Sequence, residues 1–230
     1  MTSSIIRIGA SGGGSFGAHL SIPATGRGAG VLLLHEIVGV NNGLLETADE
    51  LADHGYFALV PDLFWRLRGA GAPPEQTAEA GMQMLQSFDW TLAIADLNAC
   101  VASLRVVEGC TGKVGSVGYC LGGRLAFMMA LSSDADCDVS FHGVGIEQLV
   151  DGAVGLRHPV QIHMGEADHI VPPDAQKKIR DKLSGHALAE VFSYAGAKHG
   201  FARPLSRNFD PAAYQSGMTR MYAFFRKHLS

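Results

Sequence analysis

The chain has 230 residues, 47% of them hydrophobic and 17% charged, with a formal net charge of −4. This is enough apolar material for one α/β domain with a sizeable core, and too little charge for a disordered chain. The weakly acidic balance argues against nucleic acid or an anionic membrane surface as a partner, and no apolar run approaches the roughly 20 residues that span a bilayer.

The first residues, Met1-Thr-Ser-Ser-Ile-Ile-Arg-Ile8, lack the charged-then-apolar pattern of a secretory signal, so a cytoplasmic location is expected. Residues 15–22 alternate weakly and predict an early strand, paired with 4–8. Residues 30–35 form a continuous apolar run, as for a strand buried on both faces. His35-Glu36-Ile37 follows at its carboxyl end, where open α/β sheets carry their chemistry. Glu36 fits two roles there: a cap for the helix predicted over 44–52, or a carboxylate facing a nucleophile. A strand over 56–60 ends at Pro61. Residues 62–74, rich in aromatics and glycine, predict an excursion above the sheet, and helices are expected near 75–86 and 89–107.

The most informative segment comes next. An apolar strand near 114–118 runs into Gly118-Tyr119-Cys120-Leu121-Gly122-Gly123-Arg124, and residues 121–132 read as a helix. Gly-x-Cys-x-Gly between strand and helix is the pattern of a nucleophile elbow with sulfur in place of oxygen. Small flanking residues suit a strained turn, and the helix N-terminus favours a thiolate. The plainer alternative is a small buried cysteine among glycines that permit close packing. Of the other three cysteines, Cys100 falls on a predicted helix and Cys110 in a loop before a strand. No C-x-x-C pair or histidine–metal spacing occurs, so free thiols and no metal or other cofactor are expected.

Strands are expected over 139–144, 159–164 and 189–194, with a helix over 174–184. After the second of these strands, Gly165-Glu166-Ala167-Asp168 offers a carboxylate at a strand end, closed by Pro172-Pro173. Asp168 is the better acid, being nearer the proline stop; Asp174 reads as a helix-start residue. After the last strand, Ala197-Lys198-His199-Gly200 sets a glycine-flanked histidine on a loop. Cysteine, aspartate and histidine thus appear in the order an elbow hydrolase uses. A final helix begins at Asp210-Pro211, a capping residue followed by proline. With no repeat or linker, one domain over 1–230 is expected, a mostly parallel sheet flanked by helices on both faces.

The chain resembles the dienelactone hydrolase (carboxymethylenebutenolidase) family, the cysteine-dependent branch of the α/β-hydrolase fold. The resemblance rests on Leu33-Leu-His-Glu-Ile37, Ala58-Leu-Val-Pro-Asp-Leu63, Lys113-Val-Gly-Ser-Val-Gly-Tyr-Cys-Leu-Gly-Gly123, His163-Met-Gly-Glu-Ala-Asp-His169 and His199-Gly-Phe-Ala-Arg203. It implies Cys120 as nucleophile, His199 as general base, Asp168 as its orienting acid, and Glu36 in contact with the resting thiol. By analogy with elbow enzymes, the backbone N–H groups of Ile37 and Leu121 form the oxyanion hole. Arg203 would bind a substrate carboxylate, with Tyr119 and Phe201 as further substrate-binding residues. The family's second carboxylate-binding arginine aligns with Ala78, so one anchor, Arg203, is expected; Arg66 and Arg68 on the excursion are the other cations in reach of that role. The implied partner is a small ester or lactone. A broad carboxylesterase or thioesterase, or a non-catalytic ligand-sensing scaffold, are the alternatives. The oligomeric state stays open, a monomer included.

Overall fold

In a computed structural model, residues 2–68 and 77–230 are described, and the chain gathers into two compact units, Met1–Val114 and Gly115–Ser230. In the first, β1 (Thr2–Gly9) and β2 (Ser15–Ile22) form an antiparallel hairpin with Ile5 opposite His19. β3 (Gly28–Leu34) and β4 (Phe57–Pro61) are parallel, and β2 meets β4 antiparallel, giving the order β1-β2-β4-β3. β3 is buried along almost its whole length because it is apolar on both faces.

Among the described residues, three helices belong to this unit. α1 (Asn42–Asp53) is capped by Asn41, whose side chain accepts from the Leu44 N–H, and it buries Leu44, Ala48, Leu51 and Ala52 at helical spacing. α2 (Ala78–Gln86) is capped by Thr77, and α3 (Trp90–Arg105) by Asp89. The expected excursion over 62–74 and the start of the helix expected at 75 lie partly outside the described residues. The described part of the excursion is tied to α3. Asp96 accepts from Arg66 Nε at 2.8 Å, Arg66 Nη2 at 2.7 Å and Trp65 Nε1 at 2.9 Å.

β5 (Cys110–Tyr119) leads into the second unit, where β5, β6 (Cys137–Phe141), β7 (Val160–Gly165) and β8 (Ala189–Tyr194) lie side by side, all parallel. α4 (Leu121–Ser132), α5 (Pro173–Leu183) and α6 (Pro211–His228) complete it. α6 starts where the sequence places it: Asp210 accepts from the N–H groups of Ala212 and Ala213, and Pro211 occupies the first turn. Phe127, Ile146, Val160, Ile162, Ile179 and Leu183 are buried together in one core cluster.

Two boundaries differ from expectation. Cys110 opens β5 instead of preceding it in a loop. The strand expected over 139–144 ends at Phe141 because His142 takes a left-handed φ of 39° that breaks the ladder. Beyond it the chain makes 3₁₀ turns at Ile146–Gln148 and Val150–Gly155, which carry no strong periodic signal. Among the described residues, no helix is long and apolar enough to cross a membrane.

Candidate active site

Cys120 stands between β5 and α4 with φ 54° and ψ −111°, a backbone region a side-chain-bearing residue rarely adopts. The neighbouring glycines make that turn sterically feasible. A Cβ at Gly118 would lie 2.1 Å from the Gly122 carbonyl oxygen, and one at Gly123 would lie 2.8 Å from Gly143 Cα. The turn is held by hydrogen bonds: Cys120 N–H donates to Phe141 O at 3.1 Å, and Val144 N–H donates to Cys120 O at 3.3 Å. Leu121 is the first residue of α4, so its N–H has no acceptor within the helix. Cys120 is half-buried at the positive end of that helix, while Cys100 and Cys137 are fully buried.

Asp168 and His199 are brought together in the same unit. His199 Nδ1 lies 2.7 Å from Asp168 Oδ2. The other carboxylate oxygen accepts from the N–H groups of Ile170 at 2.8 Å and Val171 at 3.1 Å. Asp168 is 2% exposed, with both oxygens engaged, whereas Glu166 is exposed. The loop carrying His199 is braced by Asn208, whose side-chain amide donates to the His199 carbonyl at 2.8 Å. Burial acts against a charged His199 ring, but Asp168 and then Cys120 outweigh it and raise the imidazole to about 10. Cys120 therefore acts on the ring. Nε2, the other ring nitrogen, is buried and meets no hydrogen-bond partner among the described residues.

His142 is the neighbour that sequence reasoning overlooks. Its ring meets that of His199 edge-on, with centroids 4.6 Å apart and planes at 62°. The side chain is wholly buried, and neither ring nitrogen has a hydrogen-bond partner. Burial first, then the charges of His199 and Arg203, hold its pKa well below the ordinary histidine value, so the ring is neutral. The only signal in the sequence is a polar residue directly after an apolar strand. Arg203 is 6% exposed, its guanidinium 4.9 Å over the Tyr119 ring. Tyr119 stacks on Phe141 at 5.3 Å, and Phe201, wholly buried, packs against Tyr194 at 5.1 Å and His142 at 5.8 Å. These rings form a stiff aromatic wall beside His199.

Glu36 and Ile37 lie in the first unit on the turn after β3. His35, fully buried, organises that turn: Nδ1 donates to the Glu36 carbonyl at 2.6 Å and Nε2 accepts from the Leu63 N–H at 2.9 Å. Nε2 also lies 3.6 Å from Asp62 Oδ1. Gly39 N–H closes the turn on Glu36 O at 3.0 Å. α2 packs directly on the turn, since a Cβ at Gly81 would lie 1.9 Å from Ile37 O. Ala78, the first residue of α2, is exposed and contributes only a methyl group.

A mostly parallel sheet with helices and a strained residue between strand and helix defines the α/β-hydrolase fold. Solved structures agree. One from Klebsiella pneumoniae subsp. pneumoniae, grouped by its description with dienelactone hydrolases, superposes with a TM-score of 0.86 at 25% identity, covering 99% of this chain and all of the other. The dienelactone hydrolase from Anabaena variabilis superposes with a TM-score of 0.73 over 100% of this chain and 99% of its own; at 17% identity it speaks to the fold alone.

The family follows from the sequence match. Residues 16–229 fit the model of the dienelactone hydrolase family, and the chain belongs to that family of hydrolases. A carboxymethylenebutenolidase from Pseudomonas sp. (strain P51) is 37% identical over 226 residues, covering 96% of this chain and 94% of that protein.

Proposed function

We propose that the chain acts as one cytoplasmic domain, 1–230, that hydrolyses a dienelactone-like lactone or ester through Cys120, His199 and Asp168. The observation carrying this reading is the strained Cys120 at the start of α4, in the same unit as a 2.7 Å Asp168–His199 pair whose Nε2 is left without a partner.

In acylation, the Cys120 thiolate forms a bond to the acyl carbon, and the carbonyl pair moves onto oxygen. The N–H groups of Ile37 and Leu121 stabilise that oxyanion. Collapse breaks the bond to the leaving oxygen, which takes the proton from His199 Nε2; in a lactone the freed alcohol or enolate stays on the same molecule. A thioester then links substrate to Cys120. Its formation removes the thiolate charge, one of the two groups that hold the proton on His199, so the ring gives up that proton more readily and is left neutral to act as the base for water. Water loses a proton to Nε2, adds to the thioester and expels the thiolate, releasing the acid. The neutral ring of His142 bounds one side of His199 without adding a third positive charge beside Arg203.

Hydrolysis of cis- and trans-dienelactone beside neutral aryl esters tests the reading and separates it from a broad esterase. Lactone turnover no better than that of the neutral esters would favour the broad esterase. The same panel tests Arg203. Arg203→Ala should raise KM for carboxylate-bearing lactones by about 10-fold or more, the scale of one charged hydrogen bond, with a much smaller effect on neutral esters. Equal effects on both would make Arg203 a packing residue.

Glu36 is proposed to oppose a resting thiolate, against the helix dipole and His199. Glu36→Gln should then label faster with iodoacetamide near neutral pH and turn over true substrates more slowly. Matching labelling profiles against pH would return Glu36 to the role of shaping the turn before α1.

A further inference from the structure

The segment that follows β6 grips Cys120 from both sides. Cys120 N–H donates to Phe141 O at 3.1 Å, and Val144 N–H donates to Cys120 O at 3.3 Å. Residues 141–144 therefore form a short bracket around the backbone of the proposed nucleophile. The bracket is itself fixed. His142 N–H donates to His163 O at 2.8 Å, extending the pairing of Phe141 with His163 between β6 and β7. It also lies flush on the start of α4, where a Cβ at Gly143 would sit 2.9 Å from the Gly123 carbonyl carbon.

The middle of that bracket reaches the proposed base. Between the two hydrogen bonds to Cys120, His142 takes its left-handed φ of 39° and sets its ring against His199, with centroids 4.6 Å apart. The same ring meets Tyr119 at 5.9 Å and Phe201 at 5.8 Å. Two features of His142 are unfavourable in themselves. A left-handed backbone is strained for a residue with a side chain, and both buried ring nitrogens lack hydrogen-bond partners among the described residues. The ring is thus not held there by polar contacts of its own; what it supplies is a rigid aromatic surface at His199. His199 needs one. Its 2.7 Å contact with Asp168 through Nδ1 fixes one point of the imidazole and leaves the ring able to swing about it. A second ring packed at 62° to the first fixes the plane.

We propose that His142 is a positioning residue: the bracket 141–144 holds the Cys120 backbone at its ends and the His199 ring at its middle, and so sets nucleophile and base in register. Calling those two groups nucleophile and base rests on the hydrolytic reading above; the contact between the two imidazoles does not.

The test compares His142→Asn, which tolerates the left-handed angle but removes the ring, with His142→Phe, which keeps an aromatic ring without nitrogens. In the asparagine variant kcat for a neutral aryl ester should fall about 10- to 100-fold, the scale of a misplaced catalytic group, with KM within about twofold of the parent. Iodoacetamide labelling of Cys120 near neutral pH should slow in the same variant, in the direction of His199→Ala, because the imidazolium no longer faces the thiolate. Phenylalanine should recover most of both losses. An asparagine variant with the parent's kcat and labelling rate, or a folded phenylalanine variant no better than the asparagine one, overturns the proposal. A measurement on the parent decides the matter if the variants do not fold. Nuclear Overhauser effects between the ring protons of His142 and His199, with one sharp set of His199 ring signals, are expected, and their absence overturns the proposal. Unchanged turnover in His199→Ala would fail the hydrolytic mechanism; the Overhauser contact, with His199 ring signals that broaden or double in His142→Asn, would leave the bracket standing.

Discussion

Cys120→Ala is expected to lower kcat/KM for esters and lactones on the order of 10⁴-fold or more, as loss of a nucleophile does when the remaining groups act only through it. Alanine keeps a single β-carbon, so it suits the same strained turn at φ 54° and the fold should persist. The other thiols cannot substitute. Burial pushes the Cys100 thiol far up, Cys137 is equally buried, and Cys110 opens β5 away from any helix start. Cys110→Ala, measured beside it, should leave kcat/KM close to that of the parent. Retained turnover in Cys120→Ala, or collapse in Cys110→Ala, would remove Cys120 from the mechanism.

The second large effect concerns His199 and Asp168. Each single alanine variant should lose about 10²- to 10⁴-fold in kcat/KM, and the double variant little more than the worse single one. The reason is geometric: Asp168 is buried and meets His199 through a 2.7 Å contact, so in the proposed mechanism it acts only by orienting that ring. Losses that multiply would mean two independent roles. The same pair predicts a pH signature in stability. The folded-state value for His199, about 10, exceeds its ordinary value of 6.5. The stability it contributes is therefore fully present below pH 6.5 and is lost as pH rises through about 10. Urea unfolding across that window should show a decline in the parent, and a shallower one in Asp168→Asn.

Much of this architecture is legible in the sequence because local chemistry and tertiary structure agree. The apolar runs of β3, β5 and β7 are strands, Asp210-Pro211 starts α6, and Gly118 and Gly123 announce the turn at Cys120 through the side chains they lack. What escapes is set by long-range partners. Nothing near Arg66 and Arg68 tells them apart; Asp96, thirty residues away, does so by taking one of them. His142 ends β6 through a backbone angle that no propensity for histidine predicts, and its nearness to His199 depends on how the strand-end loops fold back. His35 likewise reads as the end of an apolar strand, yet its two nitrogens fix the turn after it.

The proposed mechanism passes through a covalent intermediate on Cys120. Intact-protein mass spectrometry after rapid acid quenching of a slowly hydrolysed aryl ester measures it most directly, with peptide mapping to place the adduct. The expected result is a mass increase equal to the acyl group, carried on the peptide containing Cys120 and absent in Cys120→Ala. Steady turnover with no adduct on the parent at any quench time, or an adduct on another residue, would contradict it.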